Sequence, residues 1–239
     1  MRALLLAAGL GTRLRPLTLT VPKCLVPIHG KPLLDYWLEH LFSAGIERVL
    51  INTHWLAGAV GDHVERSRFR DRIDVVHETA LLGTGGTVLA NRKWYRDKPV
   101  LVAHADNLTN FDVAHFLAAH RDRPIGSSLS MLAFRTDAPQ TCGILELGAD
   151  GIVIGFHEKV KDPPGNLANA AVYILEPEVI AFICSLQRRV VDLSTEVIPH
   201  FLGKIYAVEA TGYHRDIGSE ESLRLAELEC SQRQLTTLR

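Results

Sequence analysis

A three-layer, doubly wound and mostly parallel α/β sheet with an antiparallel extension is the fold class this sequence predicts, on three observations. Short apolar runs rich in β-branched residues alternate with amphipathic helical stretches through residues 2–120, the pattern of parallel strands joined by crossover helices. After Pro124 four strand-like runs occur with few helices among the first three, which reads as antiparallel pairing. The chain has 239 residues, 47% hydrophobic and 22% charged, enough to bury a sizeable core.

Taken in order, residues 2–7 form a buried strand, and residues 32–44 a helix with Pro32 at its start and Gly45 just past its end. Residues 48–53 are a second strand, 56–66 a second helix and 74–77 a short third strand. A helix at 86–92, a buried strand at 99–103 and a helix at 113–120 complete the alternation. Strands then follow at 128–134, 143–147, 152–156 and 170–175, with a hairpin turning at Ala149-Asp150-Gly151. Helices return at 177–185, 194–202 and 219–230, with a strand at 204–208.

The net charge of −1 supplies no global basic field for nucleic acid, so anion recognition must come from locally placed Arg and Lys, which favours a small phosphorylated ligand. Cys24, Cys142, Cys184 and Cys230 form no C-x-x-C pair, which fits reduced thiols better than a disulfide framework or a zinc site. The apolar run after Arg2 is broken by glycines and Arg13 before it reaches the length of a signal-peptide core, so the expected location is the cytoplasm, with no membrane segment.

The first strand opens into "AAGLGTR", where glycines permit tight turns and leave backbone N–H groups able to face an anion. As a phosphate-binding P-loop the segment fails, because no Gly-Lys-Ser/Thr follows at the required spacing. As a dinucleotide fingerprint it is incomplete, with Leu14 where a third glycine should pack and Pro16 opposing a helix. A glycine turn with solvated arginines is the bland alternative. Arg13, Arg15 and Lys23, however, share one segment stiffened by Pro16, Pro22, Pro27 and Pro32, which suits it to wrapping a polyphosphate.

The order G-L-G-T-R-L-R-P-L-T, then V-P-K, then P-I-H-G-K-P resembles the signature of the sugar-1-phosphate nucleotidylyltransferases. The resemblance continues along nearly the whole chain: "LLGTGGTV" at 81–88, "VLVAHADNL" with Asp106, "CGILEL" with Gly143, "GFHEKVKDPP" with Glu158 and Lys159, "NAAVYIL" with Asn169, and "GYHRDIG" with Asp216. Three positions depart from the family pattern: Ala105 and Ala171 stand where glycines are usual, and His214 where tryptophan is.

The resemblance implies a Rossmann-like, glycosyltransferase-A-like fold in a single domain over 1–230, with a nucleotide-binding half at 1–123, a sugar-phosphate-binding half at 124–230 and a flexible tail at 231–239. It implies Arg13, Lys23 and Asp106 as catalytic residues, and Leu6, Ala8, Gly9, Gly11, Thr12, Arg13, Glu78, Gly83 and Thr84 as nucleotide-binding. Gly143, Glu158, Lys159 and Asn169 would bind the sugar phosphate, and Asp106 and Asp216 would hold Mg²⁺. The implied substrates are a nucleoside triphosphate and a sugar 1-phosphate, and the family's frequent self-association adds a homo-oligomer to the expectations. "LGTGG" in place of the commoner "LGTAG", in a chain of this length, is similar to bacterial heptose-1-phosphate guanylyltransferases, which points to GTP and a manno-configured sugar, heptose ahead of mannose. Uridylyl or thymidylyl transfer to a hexose 1-phosphate, a catalytically silent nucleotide-sugar sensor and a dehydrogenase are the alternatives.

Overall fold

The computed structural model describes residues 1–96 and 98–233. Thirteen strands and seven α-helices occur among them. The first strand, β1 (Arg2–Leu6), leads into three short 3-10 turns, Thr12–Leu14, Leu17–Leu19 and Lys23–Leu25. A two-residue hairpin, β2 (Pro27–Ile28) and β3 (Lys31–Pro32), precedes α1 (Leu33–Ser43), β4 (Arg48–Thr53), α2 (Ala57–Arg66) and β5 (Ile73–His77). Then come α3 (Gly83–Ala90), α4 (Arg92–Tyr95), β6 (Val100–His104), β7 (Asn107–Thr109) and α5 (Val113–Arg121). The remainder is β8 (Leu129–Arg135), β9 (Gly143–Leu147), β10 (Val153–Glu158), β11 (Leu167–Leu175), α6 (Pro177–Ser185), β12 (Ile205–Glu209), β13 (His214–Asp216) and α7 (Glu220–Arg233). Residues 234–239 of the expected tail lie outside the described residues, and α7 runs three residues past its expected end.

The chain forms two compact units. The loop unit comprises Ala3–Ala80, His104–Phe111 and the chain from Gly212 on. In it β1 lies beside β4, and β4 pairs in parallel with β5 from Val49↔Ile73 to Thr53↔His77, the arrangement expected of strands joined by the crossover helix α2. An apolar core in this unit is shared by the segment after Gly11. Leu14, Val26, Ile28, Leu33, Tyr36, Leu108, Tyr213, Ile217, Ala226 and Cys230 pack together there, joining the turns to α1, β7, β13 and α7. Burial of that many apolar side chains, each worth roughly 1.5–3 kcal/mol, gives an otherwise irregular segment a fixed course.

The hairpin unit comprises Met1–Arg2, Leu81–Ala103 and Asp112–Thr211. Its strands run in the order β10-β9-β11-β6, all antiparallel, with β8 also antiparallel to β11 and β12 parallel to β8. The expected hairpin is present: Gly148 N–H donates to the Ile152 carbonyl at 2.8 Å and Gly151 takes a left-handed φ of +72°. The expected helix at 194–202 is not a regular one. A π turn at Leu193–Val197, capped by Asp192, gives way to a 3-10 turn at Ile198–Phe201, because Pro199 has no N–H to continue the ladder. The helix expected at 86–92 instead begins at Gly83 and ends at Ala90. No helix among the described residues is long and apolar enough to cross a membrane.

A buried polar network ties three elements of this unit. His120 on α5 has Nδ1 2.8 Å from the Ser130 hydroxyl on β8 and Nε2 3.2 Å from Glu176, which also takes Arg123. Burial, reinforced by Arg123 and Arg121, pushes the His120 pKa down to about 4. The unfolded chain therefore takes up this proton first, and the network's stabilisation is complete above about pH 6.5 and is lost as the pH falls towards 4. Buried His40 and half-buried His214 are shifted in the same direction, in each case chiefly by burial of the ring. The urea midpoint is expected to fall between pH 7 and pH 4.5, with a shallower fall in His120→Gln; a midpoint that rises on acidification contradicts this account.

Candidate active site

In the loop unit the sequence brings four charged side chains to one place. Lys23 Nζ lies 2.5 Å from Asp106 Oδ2 and 3.2 Å from Asp216 Oδ1, and Arg13 Nη2 lies 3.8 Å from Asp216 Oδ2. Lys23 is buried, Asp106 half-buried, Asp216 half-exposed, and Arg13 extends into solvent with its side chain 72% exposed. Burial by itself would lower the Lys23 pKa, but the Asp106 and Asp216 carboxylates outweigh it and hold the ammonium charged. Burial likewise works against ionisation of Asp106, and the Lys23 ammonium outweighs it, so the carboxyl titrates below its usual range.

Local structure explains the convergence. Asp106 follows β6 at the start of β7, and β7 pairs antiparallel with β13 through Asn107↔Asp216, which places the two acids at the same end of one short ladder. The ladder is fixed by Ala105 N–H donating to the Leu6 carbonyl (3.0 Å), Ile217 N–H to the Asp106 carbonyl (3.1 Å) and the Trp37 indole to the Asn107 carbonyl (2.8 Å). From the other side, Arg215 makes a two-point contact with Glu229 of α7 at 2.9 and 3.0 Å, and Ser222 donates to the Asp216 carbonyl. A Cβ on Gly218 would come within 2.7 Å of Asp216 Oδ2 and 2.8 Å of Arg13 Nη2, so this glycine makes room for the ion pair.

Two carboxylate oxygens reaching one cationic centre also fit a divalent cation with a taste for hard oxygen donors, such as Mg²⁺, whose remaining positions would be filled by water and phosphate oxygens. No group of three or more His, Cys, Asp or Glu forms a fuller metal cage among the described residues. Cys24, next to Lys23, is buried, and burial pushes its thiol up to about 12, so it stays protonated.

The phosphate-loop candidates lie beside this cluster in the chain. Gly9 has open space where a Cβ would stand, while Gly11 adopts a left-handed φ of +63° with Thr18 packed beneath it. Thr12 begins the first 3-10 turn, and the Arg15–Pro16 peptide is cis. Ala7 N–H donates to Asn52 Oδ1 at 2.7 Å, and Asn52 Nδ2 donates to Glu78 Oε1 at 3.0 Å. Asn52 thus ties the end of β1, next to Leu6 and Ala8, to the buried Glu78 carboxylate at the end of β5. Asn52, Thr18 and Trp55 had not been singled out from sequence. Asn52 directly after the apolar run Val49-Leu50-Ile51 was the available signal, since a buried amide requires partners.

The remaining candidates lie in the hairpin unit. Gly83 and Thr84 open α3, and the Cβ positions of Gly83, Gly85 and Gly86 face residues 189–191. Gly85 and Gly86 N–H donate to the Val191 carbonyl at 2.9 and 3.1 Å, the Thr84 hydroxyl lies 3.2 Å from Asp192, and Leu193 N–H donates back to it at 2.7 Å. A Cβ at Gly83 or Gly86 would overlap the backbone of Val191 or Arg189, whereas at Gly85 it would meet Val191 at 3.0 Å. Gly143 pairs with Glu158 across β9 and β10, and the space above it is filled by Phe156 and the Glu158 carboxylate. Lys159, adjacent, is held at φ +52° and pairs with Glu158 at 3.2 Å. Asn169 donates to the Tyr173 hydroxyl at 2.7 Å and accepts from Ala171 N–H at 2.9 Å, where Ala171 sits at φ +54°, a conformation natural to the glycine usual at that position. The structure thus gathers Arg13, Lys23, Asp106 and Asp216 in one unit, and in the other Gly143, Glu158 and Asn169 on three neighbouring strands with Lys159 just past the end of β10.

Comparison with known proteins gives a consistent family. The family model described as nucleotidyl transferase matches residues 2–233. A mannose-1-phosphate guanylyltransferase of Mycobacterium tuberculosis is 34% identical over 92% of this chain and 61% of its own, and the zebrafish (Danio rerio) mannose-1-phosphate guanylyltransferase catalytic subunit beta is 32% identical over 91% and 61%. The chain therefore spans about three fifths of the length of these curated relatives. Among solved structures, HddC from Yersinia pseudotuberculosis complexed with GMP-PN superposes with a TM-score of 0.80 at 26% identity, covering 95% of this chain and 98% of that one. A Bacillus anthracis protein provisionally assigned as a glucose-1-phosphate thymidylyltransferase, in complex with sucrose, reaches 0.86 at 20% identity over 96% and 95%, a likeness of fold. It confirms the expected α/β class with a mixed central sheet.

The glycine run gives a graded test. Gly86→Ala is expected to lower stability by about 1–3 kcal/mol, the scale of overpacking against backbone, while Gly85→Ala costs under about 1.5 kcal/mol because Val191 can yield. Thermal melting of both variants checks the order; equal melting temperatures would contradict the packing role.

Proposed function

Because the chain belongs to the nucleotidyl transferase family, we propose that it transfers a nucleoside monophosphate from a nucleoside triphosphate to a sugar 1-phosphate, releasing pyrophosphate. The observation that carries this reading is the single cluster of Arg13, Lys23, Asp106 and Asp216. A sugar-phosphate oxygen attacks the α-phosphorus, a new P–O bond forms there, and the bond to the β-phosphate oxygen breaks. No protein nucleophile takes part. Arg13 and the amides of Gly9 to Thr12 hold the β- and γ-phosphates, while Lys23 is shared between the α-phosphate and the incoming sugar phosphate. This is catalysis by positioning and charge neutralisation. Mg²⁺, bound by Asp106 and Asp216, would supply further neutralisation at the phosphate oxygens.

On the sugar side, Glu158 and Asn169 accept from or donate to hydroxyls and Lys159 pairs with the phosphate. The favoured base is guanine. Two relatives above 30% identity are mannose-1-phosphate guanylyltransferases, and HddC was crystallised with GMP-PN. The favoured sugars are manno-configured, mannose or heptose 1-phosphate.

Pyrophosphate release measured with each of four nucleoside triphosphates against mannose, glucose and heptose 1-phosphates tests activity, base and sugar together. GTP with a manno-configured sugar is expected to be the fastest pair; silence in every combination would favour a nucleotide-sugar-sensing protein. With the best pair, folded Lys23→Ala and Asp106→Ala are each expected to turn over at least about a hundredfold more slowly, the scale of removing one preorganised stabiliser. Near-normal release by either sinks the assignment.

A further inference from the structure

Trp55 stands two residues past the end of β4 and is 36% exposed. Its indole N–H donates to the Thr18 carbonyl at 2.8 Å. Thr18 is buried, and its hydroxyl donates to the Gly11 carbonyl at 2.6 Å, while its side chain occupies the space a Cβ on Gly11 would need. Gly11 is the left-handed residue that turns the loop, and its carbonyl also accepts from Leu14 N–H at 3.0 Å. A continuous relay therefore runs from Trp55 through Thr18 to the turn that precedes Thr12 and Arg13.

A second observation concerns the backbone beside the indole. Leu56, directly after Trp55, is held at φ 52°, ψ 37°, a left-handed conformation that a bulky γ-branched residue rarely adopts. Such a conformation persists only where surrounding contacts over-determine it. His54, directly before Trp55, is fixed by its Nδ1 at 2.7 Å from the Glu78 carbonyl. The chain is thus pinned ahead of Trp55 and bent sharply behind it, which sends the indole towards the segment holding Thr18.

We propose that Trp55 is a positioning residue for the phosphate loop: by fixing Thr18 it holds Gly11 in the turned form that presents the Gly9 to Thr12 amides and Arg13 to a polyphosphate. Trp55 itself touches no reacting atom. The inference rests on the proposed nucleotidyl transfer only in naming that loop as the triphosphate site. Because the relay shapes the free loop, its loss weakens nucleotide binding and leaves the bond-making step alone.

The test uses Trp55→Phe, which keeps a ring and removes the donor, and Thr18→Val and Thr18→Ser, which respectively remove and keep the hydroxyl. Calorimetric titration with GTP and with inorganic tripolyphosphate, a probe independent of the base, is combined with steady-state kinetics. Trp55→Phe and Thr18→Val are expected to weaken both ligands about three- to tenfold, the equivalent of one hydrogen bond, and to raise KM for the nucleotide by the same factor with kcat within about twofold. Thr18→Ser is expected to bind like the parent. Arg13→Ala is measured alongside. If it weakens tripolyphosphate while Trp55→Phe binds normally, the relay is refuted and the site assignment stands; if neither weakens it, both fall. Should Trp55→Phe fold poorly, equal binding by Thr18→Val and Thr18→Ser overturns the inference independently.

Discussion

The Lys23 ammonium, held between the Asp106 and Asp216 carboxylates, is the interaction on which the arrangement of the loop unit depends. Two acids at one end of a short ladder repel each other, and a buried lysine without a counterion would shed its proton. Each is tolerable because the others are present. The triad also joins segments at positions 23, 106 and 216 that are remote in sequence. A structural ion pair of this type restrains the fold while keeping three formal charges next to one another, which is also what handling a polyphosphate demands.

Within each unit, the candidate segments owe their course to packing. The irregular course of residues 12–28 owes its definition to Leu14, Val26 and Ile28 buried against Leu33, Tyr36 and Tyr213. The glycines of "LLGTGG" let the helix α3 press against the backbone at 189–191, so their smallness is spent on protein contact. Gly143 likewise yields its space to Phe156 and Glu158. A glycine-rich run carries the same letters whether its neighbour is a ligand or another stretch of chain.

That ambiguity marks what was legible in the sequence. The alternation of apolar runs and amphipathic helices foretold the parallel β4–β5 pair and the antiparallel strands after Pro124, because periodicity is a local property. Arg13, Lys23, Asp106 and Asp216 were legible because each lies in a distinctive motif, although only the fold brings three of those motifs together. The three-residue strands β7 and β13 were not, since so short a segment has no period to detect. Asn52 and Trp55 escaped notice for a different reason: their roles depend on which carbonyl, amide or carboxylate the fold sets opposite them. The regular helix expected at 194–202 failed on Pro199, a local signal overruled by the apolar spacing around it.

Strand β13 alternates its faces in the way of any strand, so Arg215 reaches α7 while Asp216 meets Lys23. A chain that paired one residue out of step would swap these two, driving a guanidinium towards Lys23 and a carboxylate towards Glu229, like charge against like on both sides. The correctly paired strand satisfies all four groups at once. Opposite charges on neighbouring residues thereby favour the native register of this short strand over its one-residue slip.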